Sequence, residues 1–239
     1  DQSEEKKHCL FIHEKEVLEL LQVIDGSADD ENLLGFLNYD KLKEGKMCRH
    51  MVFVLPFCAS CDAMEKLLSD NRNLFINLNE YEIVNISGVE NNFPSTESIK
   101  LHIESLEKQG KKSITLTVNR MLTGSTVKYW DTMLFFKDVS SPQEYDQAIF
   151  RLQNQYVETY KDGEGRILKK DLKPQTLLVD FEPNRMFYLQ EEKSKIYNIP
   201  KEVDREVYEF MASNFTTGRA IDGAFNRLLA YTAMFNPQK

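Results

Sequence analysis

Glycine and proline are scarce, at 10 and 7 of 239 residues, which excludes a collagenous, disordered or low-complexity chain. Cysteine is equally sparse: Cys9, Cys48, Cys58 and Cys61 are too few for a disulfide scaffold and read as reduced thiols. The longest apolar run is the nine residues from Met51 to Ala59, too short to cross a bilayer as a helix. No charged-then-apolar leader with a small-residue cleavage site opens the chain, so the expected localisation is cytoplasmic, with no membrane partner. The glycine-rich phosphate loop G-x-x-x-x-G-K-[ST] is missing, and Asp30-Glu31-Asn32 does not complete a metal-binding acidic box. No Ser–His–acid nucleophile elbow is present, and His8, His13, His50 and His102 are scattered. Zinc lacks its second ligand pair, because Cys48 and His50 precede a strand that would carry them away.

What remains is an ordinary globular composition, 41% apolar and 28% charged, long enough for one large domain with an appendage. The net charge of −8 argues against a surface that grips nucleic acid everywhere. Charge is uneven along the chain, however: residues 1–46 carry twelve acids and six bases, whereas residues 100–128 carry six bases against Glu104 and Glu107.

Short runs rich in Val, Ile, Thr and aromatics read as strands: Met51–Phe57, Tyr81–Ile86, Ile114–Val118, Thr132–Phe136 and Thr176–Phe181. They are apolar throughout rather than alternating, as in a parallel sheet covered on both faces. Helical spacing predicts helices over Asp62–Ser69, Ser95–Gln109 (Ile99, Ile103 and Leu106 inward) and Pro142–Glu158 (Tyr145, Ile149, Leu152 and Tyr156 inward). Gly26–Asp30, Asn91-Asn92 and Lys161–Gly165 read as loops. The alternation implies right-handed βαβ crossovers in an open α/β sheet, with ligands beyond the carboxyl ends of the strands. Helical ends are expected over about 14–42 and 184–236. The expected division is an acidic helical lead-in (1–46), an α/β lobe (47–183) and a helical extension (184–239).

Cys58-Ala-Ser-Cys61 sits where a strand turns into a helix, a placement that lowers a thiol's pKa. A thioredoxin-like oxidoreductase using Cys58 and Cys61 is therefore one alternative, but no proline between Pro94 and Pro142 supplies the opposing loop of that fold, and the pair is expected to be non-catalytic. A catalytically inert α/β interaction module is the other alternative.

The most informative stretch runs from Ser113 to Asn154. Thr123-Gly124 after a strand offers a hydroxyl and a turn without Cβ, through which backbone amides approach a phosphate closely. Gln147 and Arg151, at i and i+4, project from one helix face. Taken with Met51–Leu68, Glu82–Gly88 and Trp130-Asp131-Thr132, these segments resemble, in order over about residues 48–182, the second RecA-like lobe of superfamily 2 helicases and restriction-type translocases. The fold implied is an open, mostly parallel RecA-like sheet with helices on both faces. The resemblance implies that Arg151, with Gln147 beside it, reaches the γ-phosphate of ATP, which with Mg²⁺ sits at the interface with an upstream ATP-binding lobe of the same polypeptide. It further implies that Ser60, Asn119, Arg120, Thr123 and Gly124 contact DNA, and that nuclease or methyltransferase modules accompany the lobe. The chain departs from the family pattern at Phe150, where glycine is usual, and at Asn154, where a second arginine is usual. The chain begins at Asp1 rather than Met, which with the missing phosphate loop reads as a fragment that is inactive toward ATP by itself.

Overall fold

The computed structural model describes residues 10–28, 37, 47–89, 93–118, 120, 127–137, 142–173 and 175–181. The expected extension over 184–239 lies outside the described residues, as do Asn119, Thr123 and Gly124. Five strands form one sheet: β1 (His50–Val54), β2 (Tyr81–Asn85), β3 (Lys112–Thr117), β4 (Thr132–Phe135) and β7 (Leu177–Asp180), in the order β2-β3-β1-β4-β7. Every pairing in it is parallel, with Met51 opposite Ile114 on one side and Thr132 on the other.

The unbroken apolar character of β1 has a direct structural cause. Met51 and Phe53 enter one core layer with Ile114, Leu116, Leu134 and Val179, while Val52 and Val54 enter the opposite layer with Val84, Met133, Phe135 and Leu178. A strand buried on both faces has no solvent side on which to place polar residues. Helix α1 (Glu14–Asp25) and α2 (Cys58–Asp70) cover the first face through Leu21, Ile24, Cys61, Met64, Leu67 and Leu68. Helices α3 (Thr96–Lys108) and α4 (Pro142–Leu152) cover the second through Ile99, Ile103, Leu106, Ala148 and Leu152. The lead-in helix α1 thus shares the core of the sheet. Among the described residues no helix is long and apolar enough to cross a membrane.

The crossovers obey one hand. From β1 the chain moves toward the β2 edge under α2 on the first face; from β2 to β3, and from β4 to β7, it moves the opposite way over the second face. The passage from β3 to β4 follows the same rule, placing Val127, Tyr129 and Trp130 in the second layer. Local signals set the helix limits. Ser95 caps α3 in a reciprocal box with Ser98, and Gly26, at φ 83°, closes α1 by returning its amide to Gln22 and Val23 carbonyls. Helix α2 begins at Cys58 rather than Asp62.

Residues 153–171 correct the sequence reading. The helix ends at Leu152 instead of Glu158, where Asn154 Nδ2 donates to the Arg151 carbonyl at 2.9 Å. The chain then forms an antiparallel hairpin of β5 (Val157–Lys161) and β6 (Ile167–Asp171). Its turn is tied by Asp162 Oδ1, which accepts from the amides of Glu164 and Arg166 at 2.9 Å each, and by Gly165 at φ 80°. All ten strand residues are exposed, so the hairpin leaves no burial periodicity to read.

Candidate functional site

Because the five strands are parallel, all their carboxyl ends lie along one edge. Past β1 the ladder continues for one residue, Leu55 donating to the Thr117 carbonyl at 2.8 Å, and the chain turns at Pro56-Phe57 into α2. Past β2 the turn is organised by Asn85. Its Nδ2 donates to Asp62 Oδ1 at 2.9 Å and Glu65 Oε2 at 2.8 Å, while its Oδ1 accepts the Gly88 amide at 2.8 Å. Asp62 Oδ2 also accepts the Val89 amide at 3.0 Å. A Cβ on Gly88 would stand 2.2 Å from Asp62 Oδ1 and 2.6 Å from Asn85 Nδ2, so only glycine leaves this arrangement intact.

Past β3, Thr117 Oγ1 donates to the Arg120 carbonyl at 2.8 Å and so accepts from Ser87 Oγ at 3.2 Å. Arg120 then folds back over the edge, donating to the carbonyls of Ile86 at 3.0 Å and Phe93 at 2.9 Å. Of the residues expected to meet nucleic acid, Ser60 in the first turn of α2 and Arg120 therefore share this carboxyl edge. The guanidinium of Arg120, however, is engaged in holding the loops together.

Arg151 lies elsewhere. Helix α4 starts beyond the carboxyl end of β4 and runs back, so its last turn reaches the opposite, amino edge. There Lys173 Nζ donates both to the Leu152 carbonyl at 3.0 Å and to the carbonyl of Trp130 at 2.9 Å, just ahead of β4. Five-residue strands separate the two edges by about 16 Å. Gln147, one turn earlier, is exposed. The structure thus brings Ser60 and Arg120 to one edge and places Arg151 at the other.

The basic stretch over 100–128 is also more balanced than its composition implies. Lys100, Lys108, Lys111 and Lys112 pair with Glu97, Glu104, Glu82 and Glu80. Lys128 lies 5.0 Å from the ring centroids of both Tyr129 and Tyr156. Glu82 and Glu80, 29 and 32 positions before their lysines, are partners that a local count of charge misses.

The amino edge holds a buried polar network that scattered histidines and serines did not reveal. Glu107, at the end of α3, accepts from Arg49 Nη2 at 2.8 Å and His50 Nε2 at 3.0 Å. His50 Nδ1, on the other side of the ring, is hydrogen-bonded with Ser113 Oγ at 2.8 Å. The three residues reproduce a Ser–His–acid connection, but Ser113 is fully buried and its amide is bonded to the Arg49 carbonyl. A nucleophile there has no route to a substrate, and the arrangement joins β1, β3 and α3. Cys48 and His50, set aside as zinc ligands, are both buried: the Cys48 amide donates to Thr132 Oγ1 at 3.1 Å, and its carbonyl accepts the Tyr81 hydroxyl. No group of three or more His, Cys, Asp or Glu among the described residues is arranged to hold a metal.

The same network shifts ionisation. Burial raises the Asp131 carboxyl to about 6, partly opposed by the Arg49 amide bonded to it at 2.9 Å. Burial lowers Lys173 to about 8, with the negative charges of Asp131 and Asp171 acting the other way. The hydrogen bond from His50 holds Glu107 below the usual carboxylate range against the cost of its burial. Trp130-Asp131-Thr132 is thus part of the amino edge, where Trp130 Nε1 also reaches Thr115 Oγ1 at 3.3 Å. The strand-start polar residues themselves, each followed by an apolar run, are the only sequence signal of this cluster.

No family model matches the chain. Over 131 residues, 54% of the chain, it is 30% identical to a Mycoplasma pneumoniae protein described as "Putative type II restriction enzyme and methyltransferase RM.MpnORF110P C-terminus". The match covers 17% of that protein's length. Among solved structures, the C-terminal part of the Fun30 ATPase domain aligns with a TM-score of 0.36 at 12% identity, over 70% of this chain and 48% of that one, a likeness too distant to assign fold or function. The chain is therefore a doubly wound parallel α/β unit with sequence similarity to a segment of a restriction-modification protein.

Proposed function

We propose that this chain is the second, nucleic-acid-contacting lobe of an ATP-driven DNA translocase in a restriction-modification enzyme. The observation that carries the reading is the 30% identity over 131 residues to a restriction enzyme and methyltransferase segment; a doubly wound parallel sheet is compatible with it. DNA meets the carboxyl edge through Ser60 and the 119–124 segment, with Asn119, Thr123 and Gly124 as contacts. Arg120 ties the end of β3 to the chain after β2 by its bonds to the Ile86 and Phe93 carbonyls.

ATP and Mg²⁺ belong, in this reading, to a separate ATP-binding lobe of the same polypeptide. The described carboxyl edge does not fit a nucleotide. Its β1–α2 turn has no glycine to bring amides onto phosphate, and Asp62 and Glu65 place negative charge beside it. Arg151 stands at the amino edge, so no step is assigned to it. Nuclease and methyltransferase modules are the partners this reading brings with it.

The experiment is DNA binding by the purified chain as a function of salt. Affinity should fall as salt rises, because phosphate contacts release counterions, and Thr123→Ala should weaken binding while leaving the urea unfolding midpoint unchanged. Binding that ignores salt, or that Thr123→Ala leaves intact, would favour an inert interaction module instead.

A further inference from the structure

We propose that Cys58 and Cys61 form a redox-modification site, closing an intramolecular disulfide by exchange with a low-molecular-weight disulfide. The inference is independent of the DNA reading and rests on the asymmetry of the pair. Cys58 is the first residue of α2 and is exposed, whereas Cys61, one turn later, is buried in the core layer beneath the sheet. Residues three apart on a helix lie on one face with Cα atoms in the range that a disulfide spans, while their Cβ atoms, about 5–6 Å apart, must close to about 3.5–4.5 Å, a movement that falls on the first turn of α2 at exposed Cys58. No acidic residue stands in the first turn of α2 and no side chain caps its amides; the negative charge of Asp62 and Glu65 begins one residue past Cys61 and acts on the buried thiol. The adjoining Phe57 is 69% exposed, leaving the approach to Cys58 open on a surface that suits an organic disulfide. Cys48 is buried at the other edge of the sheet and does not compete.

The exchange balances as follows. The Cys58 thiolate attacks one sulfur of RSSR, forming a mixed disulfide and expelling RS⁻, which takes up the proton Cys58 lost. Cys61 then gives up its proton and attacks Cys58 Sγ, expelling the second RS⁻ as RSH. The dithiol loses two electrons and two protons, and one RSSR becomes two RSH. Burial, with Cys58 nearby, pushes the Cys61 thiol up to about 12, so Cys61 is a poor leaving group when an incoming thiol attacks the closed form. The closed form is correspondingly durable. Closure ties off the turn that contains Ser60, just ahead of the Asp62 that anchors Asn85 and Val89.

The test is incubation of the full chain with oxidised glutathione, followed by mass mapping of the segment holding residues 58–61. The expected product is a Cys58–Cys61 disulfide, reopened by dithiothreitol. Cys61→Ser should stop at a glutathione mixed disulfide on Cys58, and Cys58→Ser should carry no glutathione at Cys61. Alkylation before oxidation should label Cys58 and spare Cys61, which at about 12 is ionised in roughly one molecule in ten thousand at pH 8. A wild-type chain that stops at the mixed disulfide, a bridge through Cys48 in place of Cys61, or unchanged exchange in Cys58→Ser would each overturn the assignment.

Discussion

Replacing Gly88 by alanine tests how the carboxyl edge is held together. The new Cβ would lie 2.2 Å from Asp62 Oδ1 and 2.6 Å from Asn85 Nδ2, so both side chains must move. Neither moves freely, since Asn85 Nδ2 bridges two carboxylates at 2.9 and 2.8 Å and Asn85 Oδ1 holds the Gly88 amide itself. Two hydrogen bonds to charged groups in a half-buried setting contribute about 3 kcal/mol together. Alanine removes some freedom from the unfolded chain and returns about 0.4–1 kcal/mol. The net loss should be about 2 kcal/mol, read as a lower urea midpoint with an unchanged slope. Asn85→Ala should lose a similar amount, and adding it to Gly88→Ala should cost little more, since both remove the same bonds. A Gly88→Ala variant as stable as the wild type, or additive losses in the double variant, would refute the claim that Gly88 exists to admit the Asp62–Asn85 contact.

Other outcomes follow from the same geometry. Asp25, fully buried at the end of α1, accepts the amides of Ile76, Asn77 and Leu78 at 2.7, 2.8 and 2.6 Å; Asp25→Ala should cost about 3 kcal/mol in urea unfolding, and a loss under about 1 kcal/mol would mean water replaces the carboxylate. Asp131 titrates near 6 when folded and about 3.9 when unfolded, so the folded state takes up the proton first and stability should rise as pH falls from about 6 to 4. The gain is up to about 1.4 kcal/mol per pH unit, measured as the difference between wild type and Asp131→Asn; equal pH profiles for the two would contradict it. Arg120→Ala should lower the unfolding midpoint by removing two bonds to carbonyls, and a loss of DNA affinity at unchanged stability would instead assign Arg120 to phosphate.

The sheet is legible in the sequence because burial on both faces writes itself as continuous apolar runs, and the helices because Ile99, Ile103 and Leu106 repeat at helical spacing. The hairpin over 157–171 is not legible, because residues exposed on both faces carry no periodicity. Tyr156 has the spacing of a helix-face residue and is instead an edge partner of Tyr129, with ring centroids 4.9 Å apart. The sequence places Arg151 on a helix face but not at a height along the sheet, because i,i+4 spacing gives only the face; the backward run of α4 brings its last turn to the amino edge. The His50–Glu107–Ser113 link joins residues up to 63 positions apart, and the proximity that makes it a network exists only after β1 and β3 have paired.

The central claim is tested most directly by DNA-dependent ATP hydrolysis in the polypeptide that joins this chain to an ATP-binding lobe, measured beside the chain alone. The account predicts hydrolysis stimulated by DNA in the joined protein, loss of that stimulation with Thr123→Ala, and no hydrolysis by the chain alone. Hydrolysis indifferent to DNA, or stimulation that survives deletion of residues 47–181, would contradict it.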